Sequence, residues 1–184
     1  MPDPTAYAFI VSLGHDAAAY ETHLPAVAAE LELLRSAVAA DVPVLGLCFG
    51  GQALAAALGA TTGRAPTSEL GWREITTDDP ALVPAGPWLE WHYDRFTTPP
   101  GATEVARTAD APQAFRLGPH LGVQFHPEAT VEIVTGWAHM DGLPDQAPRA
   151  TEHERAAARA AAFQLFDAFL AQVGVDVTPA AARP

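Results

Sequence analysis

The chain has 184 residues, of which 49% are hydrophobic and 17% charged, a composition typical of one globular domain with a sizeable core. Its 22 acidic and 10 basic residues give a formal net charge of −12. Such a surface repels phosphate backbones, so nucleic acid is not an expected partner. No run of about 18 apolar residues occurs, so no membrane span is predicted.

The cysteine content and the N-terminus both favour a cytoplasmic protein. Cys48 is the single cysteine, so no disulfide can form within the chain, which fits a reducing compartment. Residues 1–4 lack the basic segment and the apolar run of a secretory signal peptide. The histidines outside the motifs described below show no ligand spacing, so we expect no metal and no cofactor; they are His15, His23, His120, His139 and His153.

Strand-like and helix-like segments alternate along the first third of the chain, which predicts an α/β domain around a mostly parallel sheet. A helix is indicated by apolar residues at 3-4-3-4 spacing from Leu24 to Val38, and Pro25 suits its first turn. The predicted elements of this part are a buried strand at 8–13, the helix just described, a second buried strand at 42–47 and a short helix at 50–58.

The remainder of the chain begins with a segment, 59–100, that is rich in Pro, Gly and Thr and predicts short strands joined by turns. Strands are predicted at 72–77, 88–93, 104–108, 113–117 and 121–125. A helix is expected to start near Thr130, and a last helix at 151–173. We expect that last helix to present Phe163, Phe166, Leu170 and Val173 on one face.

The most informative segment runs from an apolar strand through Gly46-x-Cys48-x-Gly50 directly into a helix. This pattern is the cysteine counterpart of the nucleophile elbow, in which small flanking residues permit a sharp, strained turn. The side chain then projects from the carboxyl end of the sheet at a helix N-terminus, where the dipole and free N–H groups favour a thiolate. The alternative, a small buried hydrophobic cysteine, does not explain the paired glycines.

A base for such a cysteine is predicted at His126-Pro127-Glu128, where another apolar strand ends. We expect His126 at the same carboxyl edge of the sheet as Cys48. Pro127 is expected to hold the chain extended, so that Glu128 points the same way as His126 and orients its imidazole. Alone, His-Pro-Glu could be a turn with a surface carboxylate, and the elbow makes the catalytic interpretation the stronger one.

These motifs resemble those of the class I, triad-type glutamine amidotransferases. The blocks that carry the resemblance, in order, are 46–52 (GLCFGGQ), 91–94 (WHYD) and 126–128 (HPE). The similarity extends from about residue 6 to residue 141, and small stand-alone members share the stretches 69–72 and 95–102. The resemblance implies a flavodoxin-like domain with flanking helices that fills residues 1–184.

The resemblance also implies roles for individual residues. Cys48 would attack the glutamine amide and form a γ-glutamyl thioester, with His126 as base and acid and Glu128 orienting it. The Phe49 N–H would help hold the oxyanion. Substrate contacts are implied for Gly50, Gln52, Trp91 and Tyr93. From the residues alone, Gln52 could instead be solvent-exposed, and His92 could be a packing residue or a contact to substrate or partner.

Two features depart from the family pattern. A glycine-rich loop normally follows the strand at 8–13, and here it reads Gly14-His15, so His15 would supply the second oxyanion N–H and activity could be reduced. Only seven residues precede the strand, too few for the usual first strand–helix unit. Natural truncation, a split protein and a misplaced start all remain open. Either way the strand at 8–13 is expected at a sheet edge, which favours a homodimer or a hetero-complex.

The sequence therefore predicts a glutaminase-type enzyme that acts on glutamine or a γ-glutamyl amide. No phosphate-binding G-x-x-x-x-G-K-[ST] loop and no synthetase domain is present, so ammonia would pass to a separate acceptor or synthetase protein. One alternative keeps the chemistry but changes the substrate to a γ-glutamyl peptide or another small amide. Another alternative is a catalytically silent relative that acts as a binding or regulatory subunit.

Overall fold

The computed structural model describes residues 2–175. Twelve helices and strands organise these residues, numbered here in chain order. They are β1 (Ile10–Ser12), α1 (Pro25–Ala39), β2 (Val44–Leu47), α2 (Phe49–Ala57), β3 (Thr62–Arg73), β4 (Thr76–Thr77), β5 (Trp88–Phe96), β6 (Thr103–Arg107), β7 (Pro112–Leu117), β8 (His120–Val123), α3 (Val131–Met140) and α4 (Glu152–Gln172).

The main sheet has six strands in the order β1-β2-β8-β7-β6-β4. β1, β2 and β8 are parallel neighbours, with Leu45 opposite Leu121, whereas the pairs from β8 to β4 are antiparallel. The predicted α/β, flavodoxin-like fold is confirmed. Parallel pairing is confined to β1, β2 and β8, and Cys48 directly follows β2. Among the described residues β1 is an edge strand, as expected.

Helices cover both faces of this sheet. On one face α1 and α2 pack their apolar side chains against Val44 and Phe115. On the other face α4 packs Leu165 and Phe169 against Leu45. The alternation of side chains along β2 produces this three-layer arrangement, because Val44 and Leu45 point to opposite faces. Among residues 2–175, no helix combines the length and apolar character that a membrane crossing requires.

The predicted α1 is confirmed, with Pro25 in its first turn and Val27, Leu31 and Leu34 buried. The prediction for the following segment was wrong in its bounds. A strand was expected at 72–77, but β3 is 12 residues long and ends at Arg73. It pairs with β5 in a separate two-stranded sheet. Its Pro66 lies where the register shifts between Arg64 and Glu69, which is where a strand tolerates proline.

The prediction for the apolar face of α4 was also wrong in one residue. Phe163 is 56% exposed, and the residues that α4 buries are Ala162, Leu165 and Phe169. The helix begins at a capping box formed by Thr151 and Glu154, which fixes its start as predicted. Its rotation about its own axis depends on packing against the sheet, where Phe169 meets Phe9 edge-to-face with ring centroids 6.0 Å apart.

The two phenylalanines give a matched test of this orientation. Phe169→Ala removes a side chain that is 1% exposed and should lower the free energy of unfolding by about 3–5 kcal/mol. Phe163→Ala on the same helix should change it by less than about 1 kcal/mol. Urea unfolding of both variants measures the difference, and equal losses would contradict the observed rotation of α4.

Candidate active site

Cys48 lies between β2 and α2 in a backbone conformation that residues other than glycine rarely adopt, with φ 53° and ψ −110°. Such a conformation costs on the order of 1–3 kcal/mol and persists only where the surroundings enforce it. Cys48 is the N-cap residue of α2, at the end of the helix where the dipole favours a negative charge. The predicted nucleophile elbow is therefore present.

The glycines around Cys48 are required by close backbone contacts. A Cβ atom on Gly46 would lie 2.4 Å from the Gly50 carbonyl oxygen, and one on Gly50 would lie 2.1 Å from the carbonyl oxygen of Ser12. A Cβ on Gly51 would lie 2.3 Å from the carbonyl oxygen of Val123. The start of α2 is thus wedged between β1 and β8, and no larger residue fits at these positions.

His126 follows β8, the strand beside β2, so it lies at the same edge of the sheet as Cys48. Its Nδ1 is 2.7 Å from Glu128 Oε1. Burial favours the neutral imidazole, but the Cys48 thiol and then the Glu128 carboxylate outweigh burial and raise the pKa of His126 well above its usual value. The structure therefore places Nδ1 of His126 against Glu128, at the edge of the sheet where Cys48 lies. Among the described residues, the buried Nε2 of His126 has no hydrogen-bond partner.

The local route to this contact differs from the prediction. Pro127 and Glu128 lie in a turn rather than in extended chain, and the Ala129 N–H donates to the His126 carbonyl at 3.3 Å. The side chains of His126 and Glu128 still converge because the turn folds one back over the other. The ring is also held by Trp137, whose centroid is 4.7 Å from that of His126, a contact that sequence reasoning missed.

The loop after β1 borders the same site. A Cβ on Gly14 would lie 3.2 Å from Cε1 of His126, so this glycine lies directly against the imidazole. The His15 ring packs on the Phe49 ring with centroids 5.2 Å apart, and its Nδ1 accepts a hydrogen bond from the Ala17 N–H. The two residues predicted to supply oxyanion donors, His15 and Phe49, are thus in contact with each other at the elbow.

The other residues predicted to contact substrate make hydrogen bonds within the protein. Gln52 is buried rather than exposed, and its Nε2 donates to the Asp94 carbonyl at 3.1 Å. The Gly50 N–H donates to the Leu13 carbonyl, so this N–H is not free for a substrate. The side chains of Trp91 and Tyr93 both donate to Oδ2 of Asp141, at 2.9 and 3.2 Å, a shared acceptor that sequence reasoning missed.

His92 belongs to a buried ionic cluster, so its side chain cannot reach a partner protein. Its Nε2 lies 3.1 Å from Glu90 Oε2 and 3.4 Å from Glu69 Oε2, on side chains that are at most 3% exposed. Burial favours neutral His92, but the two carboxylates outweigh burial and raise its pKa to about 10. The Gln113 amide donates to Glu69 Oε2 at 2.8 Å. His92 is therefore an imidazolium at neutral pH.

This raised pKa gives stability a defined pH dependence. The ordinary pKa of histidine is 6.5 and that of folded His92 about 10, so the stabilisation is complete below about pH 6.5 and is gone above about pH 10. The loss in free energy of unfolding caused by His92→Asn should therefore shrink steadily as pH rises between these values. Urea unfolding of wild type and variant across this range measures it.

His120→Asn is the matched control, because burial lowers the pKa of His120. A lowered histidine pKa affects stability only at and below its ordinary value of 6.5, so the effect of this variant should be constant above about pH 7. A His92→Asn effect that is equally constant between pH 7 and 10 would contradict the ionic cluster.

Comparison with known proteins agrees with this arrangement of elements and motifs. The family model described as "Glutamine amidotransferase class-I" matches residues 11–133, which is more than half of the chain. The chain belongs to the class I glutamine amidotransferase family, and the family resemblance seen in the sequence is confirmed.

Individual relatives carry similar names. The chain is 37% identical over 116 residues to "GMP synthase [glutamine-hydrolyzing]" of Aeropyrum pernix, covering 55% of this chain and 22% of that protein. It thus spans about a fifth of the length of that curated relative. Among solved structures, a glutamine amido transferase from Methylobacillus flagellatus aligns with TM-score 0.81 and 25% identity over 100% of this chain and 84% of its own. A glutamine amidotransferase from Thermotoga maritima aligns with TM-score 0.77 and 27% identity over 92% and 79%.

Proposed function

We propose that this protein hydrolyses the side-chain amide of glutamine through a thioester on Cys48. The observation that carries the proposal is the geometry at the sheet edge. A strained cysteine at a helix N-terminus shares that edge with a buried imidazole whose other nitrogen is held 2.7 Å from a carboxylate. This is the nucleophile, base and orienting group that acyl transfer through a cysteine requires.

In the proposed reaction, His126 takes the proton of the Cys48 thiol, the sulfur attacks the amide carbon, and the carbonyl electrons move to oxygen. The oxyanion is held by the Phe49 N–H and by a backbone N–H of the loop at His15. His126 then delivers a proton to the nitrogen, the C–N bond breaks, and ammonia leaves a γ-glutamyl thioester. His126 next takes a proton from water, which attacks the thioester and releases glutamate and the thiol.

Binding of the substrate's amino-acid end is proposed for Gln52 and for the backbone at Trp91 and Tyr93. Gly50 is not included, because its N–H is already bonded to the Leu13 carbonyl. Gln52 is one turn along α2 from Cys48, and its amide is bonded to the Asp94 carbonyl on β5. This bond ties the helix that carries the nucleophile to the strand that carries Trp91 and Tyr93.

We also propose that the released ammonia is used by a separate synthetase-type protein in the cytoplasm. The matched part is 22% of the Aeropyrum pernix protein that is named as a GMP synthase. The name of that relative supports a synthetase-type protein as the acceptor of the ammonia. The enzyme would act as one domain over residues 1–184.

The triad assignment is tested by three single substitutions. Cys48→Ser and His126→Asn should each lower glutamine hydrolysis by on the order of 10⁴-fold or more, because each removes a group that the reaction cannot replace. Glu128→Gln should retain more activity, because it only orients the imidazole. Ammonia release from glutamine measures the rates, and circular dichroism confirms that each variant is folded.

His139→Asn, on the exposed end of α3, is the control histidine and should leave the rate unchanged. Equal rates for wild type and Cys48→Ser would refute the proposed mechanism. Ammonia release from γ-glutamyl peptides but not from glutamine would instead assign the same chemistry to the alternative substrate class.

We further propose that the protein assembles, as a homodimer or with a partner, along β1. This strand is an edge, and Val11 on it is 40% exposed, next to exposed Tyr7 and Leu13. The Ile10 N–H donates to the Pro43 carbonyl, so the N–H of Val11 points away from β2 and toward solvent. An apolar edge with a free N–H is a template for another strand.

Two replacements of Val11 distinguish strand pairing through its backbone N–H from contacts of its side chain. Val11→Pro removes the outward N–H without loss of a bond to β2, so it should convert an assembled protein into a monomer in sedimentation velocity. Val11→Thr retains the N–H and should leave the assembly intact. A wild-type protein that is monomeric at every concentration and with its ammonia acceptor present would contradict the proposal.

A further inference from the structure

A continuous chain of buried polar groups connects the Cys48 sulfur to the ionic cluster on β3 and β5. Gln124 Nε2 lies 3.9 Å from Cys48 Sγ, and Gln52 Nε2 lies 3.3 Å from Gln124 Oε1. The same Gln52 nitrogen is 3.1 Å from the Asp94 carbonyl oxygen, which is 3.0 Å from Nδ1 of His92. The chain then ends at the carboxylates of Glu90 and Glu69, next to Nε2 of His92.

The hydrogen bonds in this series of buried polar groups allow only one assignment of donors and acceptors. The Asp94 carbonyl only accepts, so Nδ1 of His92 must carry a proton and the Gln52 group facing it must be NH₂. An amide NH₂ has two hydrogens, and the second is directed to Gln124. Gln124 must therefore present its oxygen to Gln52, which leaves its own NH₂ facing the Cys48 sulfur. The carbonyl of Asp94 thus fixes the orientation of a donor at the nucleophile.

His92, Glu69 and Glu90, at the end of the series away from Cys48, stabilise this assignment of donors and acceptors. A neutral imidazole could place its single proton on either nitrogen, and only the Nδ1–H form would bond to Asp94. Nε2 of His92 lies 3.1 Å from Glu90 Oε2 and 3.4 Å from Glu69 Oε2, and these carboxylates favour the doubly protonated imidazole, in which Nδ1 donates. Both carboxylates are buried, and Gln113 binds Glu69 from the other side. Burial of two acidic side chains under the site is costly unless they are paired in this way.

We propose that Gln124 is a catalytic residue whose side-chain N–H donates to the Cys48 thiolate, and that Gln52, His92, Glu69 and Glu90 are positioning residues that fix its orientation. Gln124 is fully buried directly after β8, between Val123 and Phe125. It is a polar side chain in an apolar run, which is the sequence signal that singles it out. The donor would stabilise the thiolate before attack and hold the sulfur toward the substrate carbon.

The inference rests on the proposed function for its role in turnover, but its chemistry can be tested on the thiol alone. Gln124 does not titrate, so replacing it isolates its effect from the titratable groups on the elements around Cys48. Those groups include His15 on the loop after β1, His126 and Glu128 after β8, Glu90, His92 and Asp94 on β5, and Glu69 on β3. A shift in thiol reactivity on replacement of Gln124 therefore reports the lost donor.

Gln124→Met retains the side-chain volume and removes the donor. The midpoint of the pH profile for alkylation of Cys48 by iodoacetamide should move to higher pH by about one unit, a tenfold change in the thiolate equilibrium at a given pH. With glutamine, kcat should fall more than KM changes. Gln164→Met on α4 is the control, because the exposed Gln164 amide donates to the Pro80 carbonyl and has no link to the buried polar groups.

An unchanged alkylation midpoint in folded Gln124→Met, or an equal shift in Gln164→Met, would overturn the inference. If Gln124→Met does not fold, the side-chain amide ¹⁵N resonances of the wild type provide the test. The Gln124 resonance should titrate with the alkylation midpoint of Cys48, and a resonance that stays constant across that midpoint rejects the contact. A wild-type chain without glutaminase activity that still shows these shifts would reject the proposed function and support the inference.

Discussion

The contact between the start of α2 and β1 is the constraint on which the site depends. Gly50 lies so close to the Ser12 carbonyl that a Cβ would be 2.1 Å from it, and the Gly50 N–H donates to the Leu13 carbonyl. This approach presses the helix N-terminus onto the sheet edge and holds Cys48 in its positive-φ conformation. The backbone strain at the cysteine is thus maintained by hydrogen bonds and packing on both sides of it.

Parallel pairing of β2 and β8 supplies the second requirement. Parallel neighbours end at the same edge, so the chain that leaves β8 at His126 is brought to the chain that leaves β2 at Cys48. The antiparallel strands β7, β6 and β4 extend the sheet on the far side of β8 and leave this edge unchanged. The part of the sheet that resembles a doubly wound fold is therefore the part that carries the proposed chemistry.

Burial of the charged groups near Cys48 costs free energy of folding, and packing of the core does not require these groups. Glu90 is completely buried, and burial raises the pKa of its carboxyl even with His92 beside it, so keeping this carboxylate ionised is costly. An apolar pair at these positions would be easier to bury. A series of hydrogen bonds connects these carboxylates to Cys48 through His92, Gln52 and Gln124. The cost of burying Glu90 is therefore connected to the site, because the carboxylates favour one protonation state of His92.

The sequence by itself determined the elements and residue types closest to the proposed chemistry. Gly46, Cys48 and Gly50 defined the elbow, the apolar spacing from Leu24 to Val38 defined α1, and His126 and Glu128 were placed beside the nucleophile from their position after a strand. These signals are local, because each depends on a few neighbouring residues whose spacing has a direct geometric meaning. The turn at Pro127 shows the limit, since the contact was predicted correctly from an incorrect backbone path.

Tertiary structure alone decided the features that depend on residues far apart in the chain. The pairing of β3 with β5 placed Glu69 opposite His92, and residues 44 positions apart, Glu69 and Gln113, met in one buried cluster. The exposed Phe163 and the buried Phe169 were separated by the rotation of α4 on the sheet. Periodicity predicts that a helix has an apolar face, but only the neighbouring surface selects which residues that face contains, because burial is decided by the packing partner.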